Sequence, residues 1–432
     1  MVRGIFFLIG MLIPVLGTQA QENWPQWRGP AQNGVGLARN LPASWSLERN
    51  ILWKAELPSW SGGTPIIWGD RIFLTSPSPA KTDEEREPGG HELYLLCLSR
   101  KDGSELWRVK LDEGNRLYRK HNDSSPSPVT DGKHVWAVTG TGQVAAVTMG
   151  GKLVWTRNLQ EDYGAFGLNF GYASSPLLYN GKLIIEVLHG MRTDDPSYIV
   201  ALDALAGEEV WRQERLTDAS GESPDAYTTP ALLRHGGKTQ VVITGGDYVT
   251  GHDPETGVEV WRVGGLNPDG ARNYRIVGSP VVVDGMIYAP TRRRPLLALS
   301  ARGAVAMKDA LVWKWDGPGA PDVPTPVCDG TYFYMVEDRG RVTCLNAKTG
   351  EVVWGPERTA RGAVSASPVL ADGKLYLLNE GAVTTVVAAD PEFRILATNE
   401  LDGTYTLSSP IVSGSQLFIR TATHLYCIGN AE

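Results

Sequence analysis

The sequence predicts an all-β chain folded as an eight-bladed β-propeller with four-stranded antiparallel blades. Three observations carry this reading: eight Ser-Pro or Thr-Pro pairs, a Gly-containing turn after each, and a tryptophan closing most repeats. The prolines are Pro65, Pro128, Pro176, Pro230, Pro280, Pro326, Pro368 and Pro410, which by subtraction stand 42 to 63 residues apart. A period of roughly 40–50 residues built from short strands is the signature of blades around an axis.

The sixth repeat shows the elements in order. Thr325-Pro326-Val327-Cys328 opens strand A, where a first-residue proline is harmless because it need not donate to the ladder. Asp329-Gly330 turns into strand B, Glu337 to Gly340 turns into strand C, and Ala347 to Gly350 turns into strand D, ending at Trp354. Gly supplies the positive φ of tight hairpins, and Asp or Asn tolerates it. Equivalent endings are Trp107, Trp155, Trp211, Trp261 and Trp313, with Trp53 an isolated seventh. An indole on each outer strand is expected to wedge between blades, its N–H on a nearby carbonyl.

The seventh repeat lacks its tryptophan at Arg394-Ile395-Leu396, which predicts a weaker blade contact. The eighth stops after three strands, so residues 50–57 are expected to supply its fourth and close the ring from the N-terminal side. The expected organisation is thus a secretory signal at 1–20, an N-terminal extension at 21–49 and the propeller at 50–432. Arg3, the apolar run from Ile5 to Leu16, and small residues ending at Ala20 carry the signal reading. The run is too short to span a bilayer, and no other stretch is long and apolar enough. The chain is therefore expected to be exported, to the periplasm or beyond.

A net charge of −7 argues against nucleic acid as a partner. Cys97, Cys344 and Cys427 fall where other repeats carry Ala201 and Ala298, a slot for small buried side chains, so thiols are expected. Cys328 and Cys344 share a repeat and are the one pair to consider as a disulfide. The histidines show no zinc-binding spacing, and no nucleophile elbow or phosphate loop occurs.

The phrase Ala-x-Asp-x-x-Thr-Gly-x-x-x-Trp, seen as Ala201 to Trp211 and His252 to Trp261, resembles the tryptophan-docking motif of the PQQ-type, or quinoprotein-like, β-propeller repeat. That family includes quinoprotein alcohol dehydrogenases and the outer-membrane assembly lipoprotein BamB. Trp24 to Pro30 is also similar to the start of exported bacterial proteins with such repeats. For a dehydrogenase, the resemblance implies a calcium site, a catalytic aspartate and often a vicinal disulfide. No vicinal cysteines exist here, and no calcium triad or catalytic aspartate matches a position in this sequence; Asp123, Asp247, Asp338 and Glu380 are loop carboxylates that could serve, though such carboxylates are commonplace.

Segments before strand A and between strands B and C share one propeller face. The first kind contributes His121, Asn122, Asn169, Tyr172, Tyr227, Asn273, Arg275 and Tyr405 to a candidate ligand face. The second contributes His189, Arg292, Asp338, Arg339, Glu380 and Arg420. The expected role is a non-catalytic scaffold binding a protein or envelope component through that face, with no cofactor. The alternatives are a PQQ- and calcium-dependent dehydrogenase, or glycan or polymer binding in the funnel.

Overall fold

A computed structural model describes residues 23–84, 87–301 and 309–430. The predicted signal segment lies outside these residues. Within them the chain forms eight four-stranded antiparallel sheets and one two-stranded hairpin, Leu117–Tyr118 with His121–Asn122. Blade six consists of Val327–Cys328, Tyr332–Val336, Arg341–Asn346 and Val352–Arg358, hydrogen-bonded in that order. Blade eight pairs Ile411–Ser413, Gln416–Arg420 and His424–Gly429 with Ile51–Glu56, Trp53 facing Cys427. The first strand of the ring therefore completes the last blade, and no sheet edge is left at the seam.

Burial follows position in the blade. Strands B and C are buried between neighbouring blades, whereas outer strand D alternates, as in the half-exposed pattern of Ile51–Glu56. Each docking tryptophan faces a small residue on strand C: Cys97, Ala146, Ala201, Gly251, Ala298, Cys344 or Cys427. A bulge falls at this point in blade after blade, kinking strand D.

The indoles reach the next blade. Trp53, Trp107, Trp155, Trp211, Trp313 and Trp354 donate their Nε1–H to the carbonyls of Arg100, Met149, Ala204, Pro254, Ala347 and Asp390 at 3.0–3.2 Å. Trp261 donates instead to Gln240 Oε1 within its own blade, at 2.8 Å. The motif's Asp and Gly build the receiving turn. Asp253 Oδ1 accepts from the backbone N–H of Glu255 and Thr256, and Gly257, at φ +74°, lies flat on Trp211. A Cβ on Gly257 would meet that ring at 2.4 Å, so the glycine is needed for close approach as well as for its φ.

Blade seven lacks the docking indole, and the N-terminal extension packs on it instead. Its strand D carries Ala397, opposite Val386, where the other blades pair Trp with a small residue. Trp45 from the N-terminal extension stacks on Tyr376 of strand B, ring centroids 6.4 Å apart. Its backbone N–H donates to Asn399 Oδ1 of that blade, and the indole is buried.

All four cysteines are free and buried, Cys328 and Cys344 included. Burial pushes each thiol up to about 12. Because the thiolate is the reactive form, an aromatic disulfide reagent at pH 8 is expected to titrate none of the four thiols until denaturant unfolds the ring. Rapid labelling of native protein would contradict the buried slots.

Candidate functional site

The residue before each opening proline reaches the axis. There Thr64, Ser127, Ser175, Thr229, Ser279, Thr325, Ser367 and Ser409 form a closed belt. Each backbone N–H donates to the hydroxyl oxygen of the next blade's residue at 2.9–3.2 Å, and Ser409 returns to Thr64. The period of the sequence marked these positions, but only as repeat punctuation. Their shared role is visible only when eight blades meet at one axis.

The belt encircles a channel of about 350 Å³. One end is floored by the extension, whose Trp27 lines the channel. Trp24 bridges to Ile67 on strand A of blade one, and Val35 bridges to Leu370 on strand A of blade seven. Between them the buried Arg28 guanidinium donates to the carbonyls of Pro326 and Pro368, both at 2.6 Å. Gln32 accepts from the N–H of Leu232 in blade four. Residues 24–35 thus plug the funnel at the end where strands A and B turn, using carbonyls and N–H groups that the inner strands leave open.

The other end is the mouth. Here the hairpin Leu117–Asn122 leans over the channel, and its tip residues Tyr118 to His121 line it. Lys120 pairs with Glu380 of blade seven at 2.7 Å, and Tyr405 donates to the Lys120 carbonyl at 3.1 Å. On the opposite side Arg119 lies over the Phe170 ring at 5.7 Å. The upper wall holds Arg275, 3.2 Å from Asp322, with Arg292 at 3.9 Å from the same carboxylate. Burial raises the Asp322 carboxyl, opposed by Arg275. Asp338 accepts the backbone N–H of Asp322 and of Val323 at 3.1 Å and so shapes this wall.

Five of the fourteen candidate residues line the channel: His121, Tyr227, Arg275, Arg292 and Asp338. Glu380 and Tyr405 hold the hairpin, while Asn169, Asn273 and Arg339 lie outside the lining. The Asn273 carbonyl accepts from Arg292, and Asn169 Oδ1 accepts from Arg192 at 2.8 Å. Arg339 is exposed.

Four candidates are withdrawn by their burial. Tyr172 donates to the Glu186 carbonyl at 3.1 Å, and Asn122 donates to the carbonyls of Trp60 and Pro88 at 3.1 and 3.0 Å. His189 Nδ1 accepts from Gly167 N–H at 3.0 Å, which places its proton on Nε2, facing the Pro196 carbonyl at 3.2 Å. Arg420 donates to the carbonyls of Gly63, Thr75 and Ser59 in blade one. These four tie loops and blades together. A loop's position in the repeat gives the height of its side chains along the axis, but not whether they point in or out. Conversely, Trp27, Arg119, Asp322 and the eight hydroxyls were missed as lining. Their only common signal is nearness to the opening prolines or to the N-terminal Trp-Arg phrase.

The carboxylates offered for a calcium-held quinone do not converge. Asp123 is buried behind the hairpin, accepting from Arg116 N–H at 2.8 Å, and burial pushes it up to about 7. Asp247 contacts Asn267 at a separate surface cavity, Asp338 caps backbone, and Glu380 pairs with Lys120. Among the described residues no group of three or more His, Cys, Asp or Glu side chains is arranged to hold a metal ion.

Fold and channel together define a docking-tryptophan β-propeller with a one-ended central chamber. The chain belongs to the family described as outer membrane protein assembly factor BamB, which matches residues 92–305 and 301–423. The BamB of Yersinia pestis is 23% identical over 360 residues, covering 73% of this chain and 86% of that protein. The quinone alcohol dehydrogenase subunit of Gluconobacter oxydans is 30% identical over 129 residues, 24% of this chain and 16% of that subunit. Among solved structures, BamB from Moraxella catarrhalis superposes with a TM-score of 0.61 at 17% identity, covering 88% of this chain and 98% of that one. A europium-containing methanol dehydrogenase gives 0.71 at 12% identity, covering 94% and 90%. At these identities the superpositions establish the fold alone. Among the described residues no helix is long and apolar enough to cross a membrane.

Proposed function

We propose that this protein is an exported, non-catalytic scaffold that binds a protein or envelope component through the face carrying the channel mouth. The family match through residues 92–423 carries the reading, because it follows the ring itself and the relatives it names are assembly factors. The geometry supports it: eight rigid blades hold many loops on one face, which pre-organises a multi-point contact. The opposite end is occupied by the chain's own extension.

Site-specific photocrosslinking in cells tests this. A photoreactive residue at Asn273 or Arg339 on the mouth face is expected to trap one discrete envelope protein, whereas one at Lys133 or Gly236, in turns of the plugged face, is expected not to. Equal trapping from both faces, or none from the mouth, would sink the reading. Dye-linked alcohol oxidation by the purified protein supplied with PQQ and Ca²⁺ would replace it with the dehydrogenase alternative.

A further inference from the structure

We propose that the central channel is a binding site for a carboxylate-bearing sugar, a uronic acid unit or the end of a chain of such units. The proposal is independent of the scaffold reading, since it concerns the chamber and not the loops around its mouth.

The chamber is built for hydroxyl chemistry. Each belt hydroxyl accepts one N–H, and no protein acceptor engages its own proton among the described residues. Eight O–H donors therefore surround a space of about 350 Å³, a volume within the usual range of small-ligand sites. Buried polar groups are nearly always satisfied, so hydroxyl donors left over around one cavity mark where a polar guest or water completes the bonding.

Donors and acceptors are both required of that guest. The belt hydroxyls are left to donate, while ionised carboxylates of the lining, Asp322 and Asp338, can only accept. A bare anion supplies acceptors alone, whereas a polyol supplies both from every hydroxyl. Trp27 at the floor and Phe170 and Tyr227 on the wall add flat apolar surfaces suited to the C–H faces of a pyranose ring.

Charge selects the acidic sugar. The lining carries Arg119, Lys120, Arg275 and Arg292; Lys120 pairs with Glu380, Arg275 with Asp322 and Glu222, and Arg292 with Asp322. Arg119 alone of these four has no ion-pair partner among the described residues; it lies over the Phe170 ring. A carboxylate entering beneath the hairpin would meet Arg119 first, in a fork geometry suited to it.

Calorimetric titration of the full mature chain with glucuronate, galacturonate, glucose, citrate and PQQ decides the matter. A uronate is expected to bind saturably, at least tenfold more tightly than glucose or citrate. Arg119→Gln, at an exposed position, is expected to keep the wild-type melting temperature and weaken the uronate about tenfold, leaving glucose unchanged. Trp27→Leu is expected to weaken both sugars. The proposal is overturned if neither uronate binds to protein that melts normally. It is equally overturned if citrate, PQQ or glucose binds as tightly as the uronates, or if Arg119→Gln leaves uronate affinity intact.

Discussion

Trp211→Ala is expected to lower the stability of the ring by about 3–5 kcal/mol, the range for truncating a large buried aromatic. The indole is only 8% exposed, lies over Gly257 of the next blade, faces Ala201 of its own, and donates to the Pro254 carbonyl at 3.2 Å. Its removal opens a cavity between blades three and four and strands that carbonyl. Neither side can collapse into the gap, because both are pinned by four-stranded ladders and by the hydroxyl belt. Urea denaturation should show the midpoint falling without loss of the folded β spectrum at zero urea. An unchanged midpoint would mean that the blades do not rely on these wedges.

Arg420→Met is the second large expectation, at about 3 kcal/mol or more. Its guanidinium is wholly buried, and burial lowers its pKa to about 9. It satisfies the carbonyls of Gly63, Thr75 and Ser59 across the seam between blades eight and one. Methionine fills much of the volume but leaves those carbonyls without a donor, at roughly 1–3 kcal/mol for each buried group. The loss falls where the ring is closed by strand pairing rather than by a continuing chain. Proteolysis should therefore first release the segment around Ile51–Glu56. Arg339→Ala, by contrast, is expected to leave melting nearly unchanged, since that side chain is exposed. Comparable losses in both variants would contradict the division between seam and rim.

The fold was legible because a propeller repeats its physics. Each blade needs the same proline-initiated inner strand, the same glycine under a neighbour's indole and the same outer tryptophan, so Gly257 and Trp211 announce themselves by period. Where the period fails, so does the reading. Trp45 belongs to no repeat, and nothing local to it says that it replaces the indole missing beside Ala397. The candidate site was half legible for a related reason. Of the residues chosen by repeat position, Arg275, Arg292, Asp338, His121 and Tyr227 line the channel. Repeat position alone could not separate them from Arg420 or Tyr172, whose direction is set by contacts with a neighbouring blade. The belt was the opposite case: its residues were counted from the start, yet their hydroxyls meet only through the closure of all eight sheets.

The plug also imposes an order of events on synthesis. Arg28 leaves the ribosome before any blade, but its carbonyl partner at Pro368 lies 340 residues later. Trp45 similarly waits for Tyr376 and Asn399, and Trp53 for Cys427. Domains assemble from the N-terminus as they emerge, and contacts between distant residues close slowly. The N-terminal segment therefore commits in stages: Trp24 can bridge to Ile67 once blade one forms, Arg28 and Trp45 wait for blade seven, and Trp53 waits for blade eight. The channel floor is thus completed with blade seven, whereas the ring is joined only when blade eight pairs with Ile51–Glu56. A nascent chain halted one blade short would hold a nearly complete β core and a floored channel, with Trp53 still lacking the strand that carries Cys427.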